Sequence, residues 1–356
     1  MILPRTLQRM LLLCATISCS AYVVFLWYFP AYSVSSFSDI SLRDAIYNVF
    51  ASAPKGSENF STKNSSEAAA VNFSSEHLTA EDAGDPYAFR YILNKPTLCS
   101  GPRQRTFVLI VVMTSSTNFA QRNAIRRTWG QAARQRGYKV VFLLARPQLK
   151  ALQCDIVSED SHYGDILQAD FVDSYRNLTL KSITMVRWAT AYCPNASLVL
   201  KIDDDMLLNV WGLVSRAREL QGLKRTMWGL LYKKPMPHRD PRSKWYVSGS
   251  EYPNTSYPDF LGGPAYLVSG DSVSLLARGS CSVPFLHLED VFLTGIVAEK
   301  VGVRRVRDEG ILNYWRSFTP CEKPTILTSH GYTPDELSNA WEILVASAGA
   351  HNCDDG

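Results

Sequence analysis

Two continuous apolar runs restrict the fold more than anything else in the chain: TFVLIVVMT at 106–114 and YKVVFLLA at 138–145. Each has strand length and little alternation, so each reads as a strand buried on both faces, as in a parallel sheet covered by helices. Further strands are read at 166–171, 197–202, 227–231 and 265–269. Helices are read between them. One is capped by Asn118 and runs through Trp129 to Arg136, with Gly137 as its stop; the others span 178–192, 271–278 and 290–300. Strands alternating with helices predict an α/β domain with a mostly parallel central sheet. No break in composition divides 98–345, which is read as one domain, followed by a tail at 346–356.

The strand at 197–202 runs into Asp203, Asp204 and Asp205. Ligands of open α/β sheets sit beyond the carboxyl ends of strands. Three adjacent carboxylates repel one another unless a cation relieves them, and a hard divalent ion such as Mn²⁺ or Mg²⁺ suits oxygen ligands and can bridge a diphosphate. An acidic turn or helix start is the plainer reading. Arg122 and Arg126, spaced i and i+4, share a helical face that fits a diphosphate or is simply solvated. Glu289 and Asp290 lie among apolar residues at a helix start, where a carboxylate is either a cap or a general base. His330 follows a short β-prone stretch and is either structural or a metal ligand. Trp245, Tyr246, Tyr252, Tyr257 and Phe260 form an aromatic-rich stretch that packs a core or meets sugar rings. No P-loop, no Cys-x-x-Cys pair and no solenoid repeat is present. A formal net charge of +4 without a long basic run gives no support for a nucleic-acid partner.

The first residues read as a membrane signal. Arg5 and Arg9 precede an uncharged, mostly apolar stretch at 10–29, long enough to span a bilayer, with Trp27, Tyr28 and Tyr32 near its far end. Its length favours an uncleaved anchor over a cleaved signal peptide. The basic flank predicts a cytoplasmic tail at 1–9 and a lumenal body. Residues 30–97 are read as a flexible stem, rich in Ser, Ala, Asn, Thr and Glu, with a short amphipathic pattern at 38–50. Six Asn-x-Ser/Thr sequons (Asn59, Asn64, Asn72, Asn177, Asn195 and Asn254) agree with a lumenal body. So does an even number of body cysteines (Cys99, Cys154, Cys193, Cys281, Cys321 and Cys353), whose pairing sequence leaves open.

With these residues in view, the chain resembles the β1,3-glycosyltransferases that comprise β1,3-galactosyltransferases and β1,3-N-acetylglucosaminyltransferases. The resemblance rests on RNAIRRTWG at 122–130, DFVDSYRNLTLK at 170–181, KIDDD at 201–205, RSKWY at 242–246, YPDFLGGPAYLVS at 257–269 and EDV at 289–291, in family order over 98–345. It implies a GT-A fold, a UDP-sugar donor, Mn²⁺ or Mg²⁺, and a single-pass type II protein of the Golgi membrane. The acceptor it implies is an oligosaccharide on a glycoprotein or glycolipid. A homodimer is compatible with it. Asp205, His330 and Asp203 take the positions of the metal site and Asp290 that of the catalytic base. Arg122, Asp173, Lys181, Asp203 and Asp204 take those of the donor pocket, and Trp245 and Glu289 those of acceptor contacts. The implied reaction is an inverting, metal-dependent transfer of galactose from UDP-galactose in β1,3 linkage. Many galactosyltransferases of the family have Cys-Ser-Gly where this chain has Leu261-Gly262-Gly263. That departure keeps a UDP-N-acetylglucosamine donor as the alternative. A sugar-binding lumenal protein without activity is a third reading, against which the intact acids weigh.

Overall fold

The structure, a computed structural model, describes residues 86–100, 106–317 and 326–349. The tail at 1–9, the span at 10–29, most of the stem, the sequons at Asn59, Asn64 and Asn72, Cys321, Cys353 and the last residues lie outside them. Among the described residues no helix is long and apolar enough to cross a membrane.

In chain order the elements begin with β1 (Tyr91–Leu93), β2 (Val108–Met113), α1 (Phe119–Arg127), α2 (Trp129–Gln135), β3 (Lys139–Arg146), α3 (Leu152–Tyr163) and β4 (Ile166–Val172). A 3-10 turn at Tyr175–Asn177 leads into α4 (Leu178–Tyr192), then β5 (Leu198–Asp203), β6 (Met206–Leu208), α5 (Val210–Glu219), β7 (Thr226–Tyr232), β8 (Phe260–Ser269) and α6 (Gly270–Ser280). A π-helix at Val291–Val297 continues as α7 (Ala298–Lys300), followed by β9 (Arg304–Arg307), β10 (Thr328–His330) and α8 (Pro334–Gly349).

Eight strands form one sheet in the order β1-β4-β3-β2-β5-β8-β7-β9. The apolar runs behave as their composition requires. Along β2, Val108, Ile110 and Val112 face one core layer with Trp129 and Leu213. Leu109, Val111 and Met113 face the other with Trp188 and Phe292. The sheet is α/β as expected and mixed: most of its strands share one direction, with β1 and β8 reversed. β4, β3, β2 and β5 run parallel, β8 runs antiparallel to both β5 and β7, β1 is antiparallel to β4, and β9 is parallel to β7. Strands covered on both faces are apolar whichever way they run, so burial carries no record of direction.

Three local features position the site. The helix read from Asn118 breaks at Thr128 into α1 and α2, and the indole of Trp129 donates to the Met206 carbonyl at 2.9 Å. β6 pairs antiparallel with β10, so that His330 faces Met206 and stands beside Asp205. A disulfide joins Cys99 to Cys193 at the end of α4, while Cys154 keeps a free thiol. At the far edge, β9 is mostly arginine (Arg304, Arg305 and Arg307), the kind of charged edge that resists pairing with another strand.

Candidate active site

The acidic triplet ends β5 at the carboxyl edge of the parallel strands, and its three side chains turn three ways. Asp203 accepts from Lys201 Nζ at 2.5 Å. Asp204 turns inward, accepting from Thr114 Oγ1 at 2.5 Å and from Asn118 Nδ2 at 2.9 Å. Asn118 therefore sits at the helix start as expected, but its side chain serves Asp204 and caps nothing. Asp205 Oδ2 lies 3.2 Å from His330 Nε2, and Asp205 Oδ1 is buried with no hydrogen-bond partner. The Asp205 carbonyl also accepts from the N–H groups of Gly331 and Tyr332, which holds the turn after His330 against the strand end.

Lys201 is the hub of the adjoining cluster. It is 3% exposed, and its Nζ also donates to the Gly263 carbonyl and lies 3.6 Å from Glu289 Oε1. Burial alone lowers the lysine pKa, but the charges of Asp203 and Glu289 outweigh it and the net shift is upward. Burial pushes Glu289 up to about 7. It also raises Asp203 against the pull of Lys201, and raises Asp204 against its two hydrogen bonds. Glu289 Oε2 accepts from Ser182 at 3.0 Å, while Oε1 has no hydrogen bond. Its neighbour Asp290 keeps some exposure and accepts from Val291 N at 2.9 Å, so the capping geometry is real. A Cβ added to Gly263 would stand 3.6 Å from Asp290 Cβ, an ordinary van der Waals contact, so strand β8 runs directly beside this carboxylate. Burial raises the pKa of Asp290 as well, more than its backbone hydrogen bonds lower it.

The residues expected to line a donor pocket brace a loop instead. Arg122 is 0% exposed; its Nε and Nη2 grip Glu159 at 2.8 and 2.6 Å, and its Nη1 donates to the Ser115 carbonyl at 2.7 Å. A diphosphate cannot reach this guanidinium, because protein fills the space around it. Arg126 shares Glu159 and Asp165, so the shared helical face is neither solvated nor open. Asp173 accepts from Ser116 N at 2.9 Å and pairs with Lys181 at 2.8 Å; Lys181 in turn donates to the Thr114 carbonyl at 2.7 Å. Arg122, Asp173, Lys181 and Asp204 thus converge on 114–118 from behind. The signal for this loop was present in the sequence as Thr-Ser-Ser-Thr-Asn directly after a buried strand.

The residues expected to hold a metal stand as follows. Asp205 and His330 come together, whereas Asp203 is engaged by Lys201, and among the described residues no group of three or more metal-ligating side chains forms. Glu289, expected at the acceptor, is buried beside Ser182, while Trp245 is 46% exposed and packs against His238 at 5.3 Å between ring centroids. Of the described sequons, Asn195 and Asn254 are exposed. Asn177 is half-buried and donates to the Val172 carbonyl at 2.8 Å, and the Thr179 hydroxyl of its sequon is buried against Leu286 O.

The chain has known relatives. A family model described as Galactosyltransferase matches residues 120–309, which include the triplet, Glu289 and Asp290. The chain is 32% identical over 264 residues to mouse beta-1,3-galactosyltransferase 1, covering 73% of this chain and 80% of that one. It is 33% identical over 267 residues to human beta-1,3-galactosyltransferase 2, covering 72% and 63%. Among solved structures, galactosyltransferase LgtC with donor and acceptor sugar analogs matches at 10% identity and a TM-score of 0.34, over 68% of this chain and 95% of that one. A likeness at that level decides nothing about chemistry.

Proposed function

Because the chain belongs to the β1,3-galactosyltransferase family and is therefore a hexosyltransferase, we propose that it moves galactose from UDP-galactose, with inversion, to the 3-hydroxyl of a sugar on a glycoprotein or glycolipid. A GT-A type donor domain, a lumenal Golgi orientation and a single anchor at 10–29 belong to the same reading; Arg5 and Arg9 before an uncharged span support the orientation. The observation that carries the reading is the meeting of two distant pairs of side chains at one end of the sheet. Lys201 links Asp203, in the triplet that ends at Asp205, to Gly263 and Glu289, and Gly263 lies against Asp290.

In this reading the loop 114–118 receives the nucleotide. Asp205 and His330 fit a hard divalent ion, Mn²⁺ or Mg²⁺. Asp205 holds a buried oxygen with no partner, the imidazole is adjacent, and such ions are commonly held by one or two protein groups plus substrate phosphates. When bound, the ion supplies positive charge to the departing diphosphate. Asp290 takes the proton of the acceptor hydroxyl as that oxygen bonds to the anomeric carbon and the sugar–phosphate bond breaks. One displacement on the opposite face turns an α-linked donor into a β product. Asp290 is better placed for this than Glu289, because it is the less buried of the two. Lys201 fixes Asp203 and keeps charge of the opposite sign under the acids.

Asp290→Asn tests the assignment. It keeps the volume and removes the base, so turnover should fall by about 10²–10⁴-fold while UDP-galactose affinity, measured by calorimetry, stays close to wild type. Near-normal transfer by this variant would exclude Asp290 as the base. A parallel screen of UDP-galactose, UDP-N-acetylglucosamine and UDP-N-acetylgalactosamine tests the donor. A preference for N-acetylglucosamine would tie the Leu261-Gly262-Gly263 departure to a change of sugar.

A further inference from the structure

A second concavity lies apart from the acidic cluster. It encloses about 570 Å³ between the second half of α5, Leu230 of β7, Arg307 at the end of β9, and the segment 308–316. None of Asp203, Asp205, Asp290 and His330 lines it. Its volume falls within the usual range of small-molecule sites, about 300–1,000 Å³. The lining is charged yet balanced. Arg216 pairs with Glu219 at 2.6 Å and with Asp308 at 3.1 Å, and Arg307 holds Glu309 through two bonds at 2.5 and 3.1 Å. Asp308 is 6% exposed and also accepts from Gly310 N at 2.9 Å, which fixes it in place. With Arg316, three arginines face three carboxylates around the cavity, so a diphosphate or another anion meets as much repulsion as attraction.

A neutral polyhydroxyl compound meets no such conflict. A guanidinium has more N–H donors than one carboxylate engages, and a carboxylate has lone pairs to spare, so hydroxyls can join both without breaking the pairs. Leu230, Leu312 and Ile326 add apolar lining, and Tyr314, 50% exposed, adds an aromatic ring. Apolar walls with a few placed polar groups suit a sugar, whose C–H faces lie on carbon while its hydroxyls take the polar groups. The wall that carries Tyr314 is held firmly. Ile311 bridges Thr328, whose hydroxyl accepts from Leu312 N at 3.0 Å and donates to Leu312 O at 3.1 Å. Ser329 Oγ lies 2.8 Å from both Arg316 N and Arg316 O, and the Tyr314 carbonyl accepts from His330 N at 3.2 Å. The segment is thus bonded along its length to β10, the strand that carries His330, and such preorganisation favours binding.

We propose that this cavity is a second saccharide site, which takes neutral sugar units remote from the reacting hydroxyl, with Tyr314 and Arg307 as its main contacts. The proposal rests on the transferase reading above, which makes an oligosaccharide the molecule at hand. The units come either from the far end of the acceptor being extended or from a separate glycan chain; the chemistry that recognises them is the same.

The test uses the full chain, UDP-galactose, and two neutral probes that end in the same sugar: benzyl β-N-acetylglucosaminide and the longer lacto-N-triose II. In calorimetry, Tyr314→Ala should weaken binding of the trisaccharide about tenfold or more, the size expected of a buried anchor. Arg307→Ala, which loses hydrogen bonds to hydroxyls, should weaken it about fivefold. Binding of the benzyl glycoside should stay within about twofold in both variants, because it is too short to reach past the reaction centre. Kinetics then tell the two sources apart. A trisaccharide KM that rises with the loss of binding, beside an unchanged benzyl glycoside KM, places the far end of the acceptor in the cavity. Unchanged KM values beside the loss of one trisaccharide binding event place a separate glycan there. Trisaccharide binding unaffected by both variants overturns the site. So does an equal loss for the two probes or a raised donor KM, either of which would assign Tyr314 to the support of His330 alone. If Tyr314→Ala does not fold, Arg307→Ala decides it on the same criteria. Trisaccharide binding that depends on Tyr314 in a chain that transfers no sugar keeps the saccharide site and overturns the transferase. Transfer with trisaccharide binding indifferent to both variants does the reverse.

Discussion

At the scale of single residues, the site is a problem in placing several negative charges together. The triplet solves it by dispersal: a lysine for Asp203, two neutral donors for Asp204 and an imidazole for Asp205. Glu289 is the residue left least satisfied, and this has a consequence for pH. Its folded pKa, about 7, lies above the usual glutamate value of 4.5, so in metal-free protein the native state keeps a proton that the unfolded chain has lost. Stability should therefore fall as pH rises from about 4.5 to 7, by up to about 3 kcal/mol. Glu289→Gln should flatten that part of the curve, as read by thermal melts across the range; an unchanged slope would mean the native carboxyl already ionises normally. His330 runs in the same direction. Its hydrogen bond to Asp205 raises its pKa against the effect of burial, so the support it gives is complete below about 6.5 and is lost as pH rises through the folded value. The acids and His330 were legible in the sequence because runs of carboxylates at strand ends are rare enough to notice. Lys201 was not: one lysine within an apolar strand looks like an edge or a snorkelling residue. Only the fold shows that Gly263 and Glu289 come to meet it.

At the scale of elements, the strands and the longer helices could be read from hydrophobic pattern, and α4 was read at its observed bounds, Leu178–Tyr192. What pattern could not supply was direction, as for antiparallel β8, or hydrogen-bond register, as for the π-helix that follows Asp290 where an ordinary helix was expected. The partner of Arg122 was hidden for a related reason. Its spacing to Arg126 identifies a shared face, but the partner of that face, Glu159, comes from α3, which no periodic signal announced. Burial raises the Glu159 pKa, but the hydrogen bonds and charges of the two arginines overcome it and hold the net value down. Its contribution is therefore present above the ordinary glutamate range and is lost as pH falls through the depressed value. Glu159→Gln leaves the buried Arg122 guanidinium without a counter-charge and Arg126 with Asp165 alone, and should cost about 3–5 kcal/mol of folding stability at neutral pH. Denaturant titration measures this directly, and a cost below about 1 kcal/mol would show that the arginines find other partners.

At the scale of the whole molecule, the described body has one disulfide to consider, and it closes a long loop. Cys99 and Cys193 are 94 residues apart, so their link removes considerable freedom from the unfolded chain. Replacing both with serine should lower stability by about 2–5 kcal/mol and leave the site's geometry intact. Melting of the double variant beside oxidised and reduced wild type checks this; equal melting of all three would mean that the bond stabilises nothing. The same link also decides where mechanical load enters. A pull on the chain ahead of β1 first meets a three-residue edge strand paired with β4, which peels with little resistance. The pull is then arrested at Cys99 and handed to Cys193, at the far end of α4. The site borders the opposite end of that helix, 15 residues and roughly 22 Å away. Tension in the leading segment is thereby diverted around the candidate site, as a strain relief protects the joint of a cable.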